Sequence, residues 1–109
     1  MKNNNYTLND FIREYKGDYC QEYETYIGME FMYKNTWYRM SREVGDNDRF
    51  YLIKVSLIDE KKPGYSENLK YEILAIYDTI YELLESRAID NKLFQDILFD
   101  EETEILSQD

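Results

Sequence analysis

The side chains that most often do chemistry in proteins are nearly missing from this chain. There is no histidine, which removes the commonest general base and the commonest metal ligand together. Cys20 is the only cysteine, so neither an internal disulfide nor a thiolate zinc site can form within the chain. No lysine or arginine adjoins it and Glu22 lies close by, a setting that disfavours the thiolate and suits a small packing residue. The four glycines are scattered and build no phosphate loop, and no serine stands in a nucleophile elbow. Asp46-Asn47-Asp48 opens like a calcium loop. Counting from Asp46, however, Tyr51 and Leu57 fall where an EF-hand needs its glycine and its final glutamate. Carboxylate pairs suited to glycoside hydrolysis arise by chance among 23 acids. The expectation is a protein that is not an enzyme and has no catalytic residue, no metal site and no cofactor.

Two features point to binding instead. One is tyrosine. The stretch "YKGDYCQEYETYIG" places Tyr15, Tyr19, Tyr23 and Tyr26 at helical spacing, and the chain has 12 tyrosines besides Trp37. Most such rings sit at core edges, with the body buried and the hydroxyl in water. Tyrosine and tryptophan also anchor interfaces, and Tyr23 and Tyr26 are the candidates for that role.

The other feature is charge. Residues 1–64 carry 11 acids and 10 bases, residues 65–109 carry 12 acids and 3 bases, and the whole chain is at −10. No base follows Lys92, whereas Asp96, Asp100, Glu101, Glu102 and Glu104 do. A solvated surface that keeps molecules apart is one use of such charge. A carboxylate surface that mimics DNA, taking the place of phosphates in a basic groove of another protein, is the second. The same field repels nucleic acid and anionic membranes. The expected partner is a protein with a basic, nucleic-acid-binding surface, contacted through Asp96, Asp100, Glu101, Glu102 and Glu104 together with Tyr23 and Tyr26. The alternative is a module that meets a protein partner through an aromatic sheet face.

These residues need elements to position them. Thr7 and Asp10 form a capping box, and Leu8, Phe11, Ile12 and Tyr15 follow on one helical face. Gly17 is placed to end that helix near Lys16. Residues 18–24 then read as a strand. "MEFMY" and "TWYRMSR" flank Lys34-Asn35 and predict a hairpin. Its register opposes Tyr33 to Thr36, Phe31 to Tyr38, Glu30 to Arg39 and Met29 to Met40. "GDND" at 45–48 is a loop, and 49–58 is a central strand, apolar on both faces.

Leu69, Ile73, Ile76, Ile80 and Leu83 fit one long helix, while Leu69, Tyr71, Ile73, Ala75 and Tyr77 fit a strand. With Asp78 as an N-cap, the segment divides into a strand over 68–77 and a helix over 79–86. A short helical turn at 93–98 and an acidic tail with Ile105 and Leu106 as a docking pair complete the chain. The expected fold class is α+β: a single domain over 1–109 with an antiparallel meander sheet of four or five strands. An N-terminal helix precedes the sheet, and a helical, acidic C-terminal part, with its acidic segment at about 99–109, follows it. With no apolar run of membrane-spanning length and no hydrophobic leader in "MKNNNYTLND", a cytoplasmic location is expected.

In its "YTLNDFIREYKG" start and "DEETEILSQD" end, the chain resembles the small acidic proteins of Gram-positive phages and mobile elements. Among these it is similar in size, charge and tyrosine-rich α+β character to anti-CRISPR inhibitors of type II-A Cas9. The resemblance implies a protein inhibitor that binds Cas9 or its guide-RNA complex inside the bacterial host cell, without contacting nucleic acid directly.

Overall fold

The computed structural model describes residues 6–16, 26–43 and 49–108. The expected strand at 18–24, the helix stop at Gly17, Tyr23 and the loop at 45–48 lie outside them. Helix α1 (Leu8–Lys16) starts at the anticipated capping box. The Asp10 backbone N–H donates to Thr7 Oγ1 at 3.2 Å, and the Thr7 backbone N–H donates to Asp10 Oδ2 at 2.9 Å. Each side chain thereby satisfies a donor that the helix end leaves open.

Strands β1 (Tyr26–Tyr33) and β2 (Thr36–Glu43) form the hairpin in the register read from the sequence. Lys34 and Asn35 both take positive φ, 49° and 65°, the turn whose twist matches that of paired strands. Strand β3 (Phe50–Leu57) lies between β2 and β4 (Leu69–Tyr77), as a strand apolar on both faces should. A bulge at Leu74 opposes Leu52 to Ala75 and the next residue, Ile53, to Ile73. The extra residue lets Leu74 pack against the core while Ile73 and Ile76 stay exposed on the other side.

Helix α2 (Ile80–Leu84) follows β4, and its N-cap is Thr79 rather than Asp78. Thr79 Oγ1 accepts from the Glu82 backbone N–H at 3.1 Å. Helix α3 (Phe94–Leu98) matches the expected helical turn.

The end of the chain departs from expectation. Among the described residues the acidic stretch after α3 is not helical: Thr103–Gln108 form a strand, β5, antiparallel to β1. The physical reason is the open edge of β1. Thr103 and Ile105 oppose Tyr33 and Phe31 on the core side, and their backbone groups complete that edge. Thr103 Oγ1 also donates to the Ile97 carbonyl at 2.5 Å, tying β5 to α3. The sheet order is β4-β3-β2-β1-β5, a four-strand meander closed on its far side by the returning chain.

All three helices cover one face of the sheet. Phe11 and Tyr15 from α1, Ile80, Leu83 and Leu84 from α2, and Phe94, Ile97 and Leu98 from α3 pack with Met29, Phe31, Met40, Phe50 and Leu52. Among the described residues no helix is long and apolar enough to cross a membrane.

Candidate functional site: the outer face of the sheet

Opposed residues of antiparallel strands share a face, so the register reads out the side of the sheet that the helices leave uncovered. One cross-strand row runs Glu104, Met32, Trp37, Val55, Tyr71. The next runs Ser107, Glu30, Arg39, Ile53, Ile73, and a third runs Gly28, Ser41, Tyr51, Ile76. Leu57 and Leu69 close the end nearest the 58–65 loop. Tyr71, Ile73 and Ile76 are 46 %, 57 % and 44 % exposed. Contiguous apolar surface of this kind is uncommon on a monomer away from an interaction site.

One ion pair anchors the middle of this face. Arg39 Nη2 donates to Glu30 Oε1 at 2.7 Å, and Ser107 Oγ donates to the second oxygen of Glu30 at 3.3 Å. The Arg39 guanidinium lies 5.0 Å from the centre of the Tyr71 ring, a cation–π contact that reaches over β3 from β2 to β4. Burial works against the arginine charge, and Glu30 and Tyr71 together more than offset it, leaving the Arg39 pKa above its ordinary value. The pair is neutral as a unit, and the surroundings are aliphatic and aromatic.

One margin of the face is held by a residue that the sequence reading did not single out. Asn68 is buried, with Nδ2 at 3.0–3.2 Å from the carbonyl oxygens of Asp59, Lys62 and Pro63. Its Oδ1 accepts from the Asp59 backbone N–H at 2.9 Å. This pins the 59–65 loop so that Gly64 packs beside Leu57, Leu69 and Trp37. The only available signal was an asparagine next to a strand start, which is too common to stand out.

The expected acidic contact residues are spread over several elements. Asp96 is exposed on α3, on the helical side of the sheet. Glu104 is exposed on β5, opposite Met32, on the outer side. Asp100, Glu101 and Glu102 share the turn between α3 and β5, and they line an open depression with Lys34 and Lys92. There the charges partly pair: Asp100 lies 3.9 Å from Lys92, and Lys34 lies 3.1 Å from Asp90 and 4.0 Å from Glu102. Their hydrogen bond lowers the Asp90 pKa and raises that of Lys34. The structure therefore brings three of the five carboxylates together, beside two lysines, and leaves Asp96 and Glu104 on opposite sides of the sheet. Tyr26 opens β1 opposite Glu43.

No family model, curated protein or solved structure matches this chain.

Proposed function

We propose that this chain is a non-catalytic protein-binding module that seats the outer face of its sheet on a basic protein partner. The observation that carries this reading is the row of exposed Tyr71, Ile73 and Ile76 beside Trp37 and Val55, on the sheet face that the helices do not cover. The contact comes from apolar and aromatic area, which supplies most of the energy at an interface core. The net charge of −10 selects a basic partner and speeds encounter.

A second reading rests on the Asp100–Glu102 turn, whose clustered carboxylates favour a partner that normally holds phosphates. In that reading the module inhibits a nucleic-acid-binding enzyme in the bacterial cytoplasm, and Cas9 with its guide RNA is the leading candidate.

The deciding experiment compares three proteins: wild type, Ile73→Asp/Ile76→Asp, and a chain in which Asp96, Asp100, Glu101, Glu102 and Glu104 become Asn or Gln. Each is titrated against guide-loaded Cas9, with DNA binding and cleavage as readouts, and used in parallel as bait in extracts of bacterial cells. The face reading expects a basic protein retained by wild type and by the neutralised chain but lost from the double aspartate variant. Equal retention by the aspartate variant overturns it. Wild-type protein that leaves Cas9 binding and cleavage unchanged removes Cas9 as the partner.

A further inference from the structure

Strand β4 is an outer strand of the sheet, and among the described residues nothing pairs with its free edge. It is nine residues long, and an open edge of that length is a template for another strand. Proteins usually blunt such edges with proline, repeated lysines or a bulge. Here the bulge comes only at Leu74, and Leu69–Ile73 ahead of it stays regular, with Lys70 its single lysine and no proline. Lys70 and Glu72 are both exposed on the side facing away from Tyr71 and Ile73.

We infer that β4 pairs with β4 of a second copy of this chain, antiparallel, about a two-fold axis passing through Tyr71. A two-fold perpendicular to the sheet keeps both outer faces on the same side, so opposed residues must have side chains of the same parity. That leaves few registers. Centred on Lys70, the join sets two lysines directly opposite each other. Centred on Glu72, it opposes two glutamates. Centred on Ile73, it runs into the Leu74 bulge. Centred on Tyr71, Lys70 of each copy faces Glu72 of the other, Leu69 faces Ile73, and the two Tyr71 rings meet. Opposite charges directly across a strand pair stabilise it and like charges destabilise it, so the strand's own charge pattern selects one register. The product is a continuous ten-strand sheet with the helices on one side. Its other side is a doubled outer face with Tyr71 at the seam. At physiological ionic strength the Debye length is about 8 Å, so the −10 carried by each copy is largely screened beyond the contact.

This inference is independent of the proposed partner. Lys70 and Glu72 point away from the outer face, so their exchange leaves that face intact, and dimerisation is measured on the purified chain alone. Sedimentation across a wide concentration series should show a monomer–dimer equilibrium. Lys70→Glu and Glu72→Lys should each weaken it by roughly tenfold or more, because both symmetric pairs change from attraction to repulsion. The double exchange K70E/E72K should restore it; Glu72 also lies opposite Lys54 of β3 and Lys70 opposite Ser56, so Glu72→Lys and the double exchange should melt slightly below wild type while Lys70→Glu should not. Mixing the Lys70→Glu chain with the Glu72→Lys chain should also give a dimer, because opposite charges at 70 and 72 then meet only across the two molecules, which a role within one chain would not produce. A photoreactive benzoylphenylalanine at Tyr71 should form a covalent dimer, and one at Leu106, on the opposite edge of the sheet, should not. A wild type that is monomeric at every concentration overturns the inference. So does a double exchange that fails to restore the dimer, or crosslinking from position 106 but not from 71.

Discussion

Gly28 sets two physical effects against each other, and the structure decides the sign. A glycine inside a strand is less favourable than alanine by about 0.5–1 kcal/mol, because it loses more backbone freedom on folding. Propensity alone therefore expects Gly28→Ala to stabilise β1. The geometry says otherwise. A Cβ built on Gly28 would lie 2.3 Å from the Met40 carbonyl oxygen, 3.3 Å from its carbon and 3.2 Å from Ser41 Cα. Real Cβ atoms do not come closer than 3.0 Å, so β1 and β2 must move apart by about 0.7 Å at this point. The atoms in the way are backbone, so no rotamer change relieves the contact.

The displacement also disturbs the core. The Gly28 carbonyl accepts from the buried Tyr15 hydroxyl at 3.4 Å, one of the ties between α1 and the sheet. Overpacking of this kind costs about 1–3 kcal/mol. Set against the propensity gain, the expected result is a net loss of about 1–2 kcal/mol. For a chain of this size that is a fall in Tm of about 5–10 °C. Urea and thermal melts followed by far-ultraviolet circular dichroism measure both quantities. Gly64→Ala is the control: the nearest atom to its Cβ would be Leu57 Cδ2 at 3.5 Å, an ordinary contact. That change should leave stability equal or raise it by up to about 1 kcal/mol. A Gly28→Ala protein as stable as wild type, or more so, would refute the close-approach argument.

Other outcomes follow from single contacts. Arg42 is buried, and its Nη1 donates to the Tyr15 carbonyl at the end of α1 at 2.9 Å. Arg42→Met should cost about 1–3 kcal/mol in urea melts by removing that buried, charge-assisted hydrogen bond. Thr103→Val removes the hydroxyl that holds β5 to the Ile97 carbonyl; a loss of about 1 kcal/mol is expected, with amide exchange accelerating first in β5. The Asp10 pKa is lowered by hydrogen bonds from the Thr7 backbone and side chain, and that of Asp90 by Lys34. Both carboxylates thus contribute stability that is present above their unfolded value of 3.8 and is lost as pH falls through the lowered folded value. Melts from pH 6 down to pH 2, run on wild type and on Asp10→Asn/Asp90→Asn, should show a shallower acid slope in the variant.

Local chemistry made part of this fold legible. Lys34-Asn35 tolerates the positive φ of a tight turn, and period-two alternation on both sides left one sensible register for β1 and β2. The capping box at Thr7 and Asp10 fixed the start of α1 in the same way. The helix-or-strand ambiguity over 67–77 is settled by pairing with β3, and the bulge at Leu74 explains why its apolar residues fit two periods: one is inserted and turned inward. Strand β5 was not legible. Its few apolar residues sit among acids, and what makes it a strand is the open edge of β1, some 70 residues earlier. The outer face was half legible. Apolar residues on both sides of β3 were visible in the sequence, but only the placement of all three helices on the Phe50 and Leu52 side shows which side stays uncovered. The acidic run misled for a related reason: charge along a sequence says nothing about the turns and faces that divide it, nor about the lysines at 34 and 92 that the fold brings beside it.

That division of charge from apolar area has a kinetic consequence for the proposed binding. The outer rows hold one internally paired arginine and Glu104, whereas Asp100, Glu101 and Glu102 sit on a turn at the end of the sheet. Charges outside the seated contact act over distance and are screened by salt, so they govern encounter; desolvated apolar contacts govern escape. Neutralising Asp96, Asp100, Glu101 and Glu102, with Glu104 of the outer rows left in place, should slow association by about tenfold or more and flatten its salt dependence, leaving dissociation nearly unchanged. Ile73→Asp should do the reverse, accelerating dissociation while association changes little. Surface plasmon resonance against the captured partner at two or three salt concentrations separates the two rates. If these four neutralisations speed dissociation as much as Ile73→Asp does, the carboxylates are inside the contact, and the binding surface is the turn after α3 rather than the sheet.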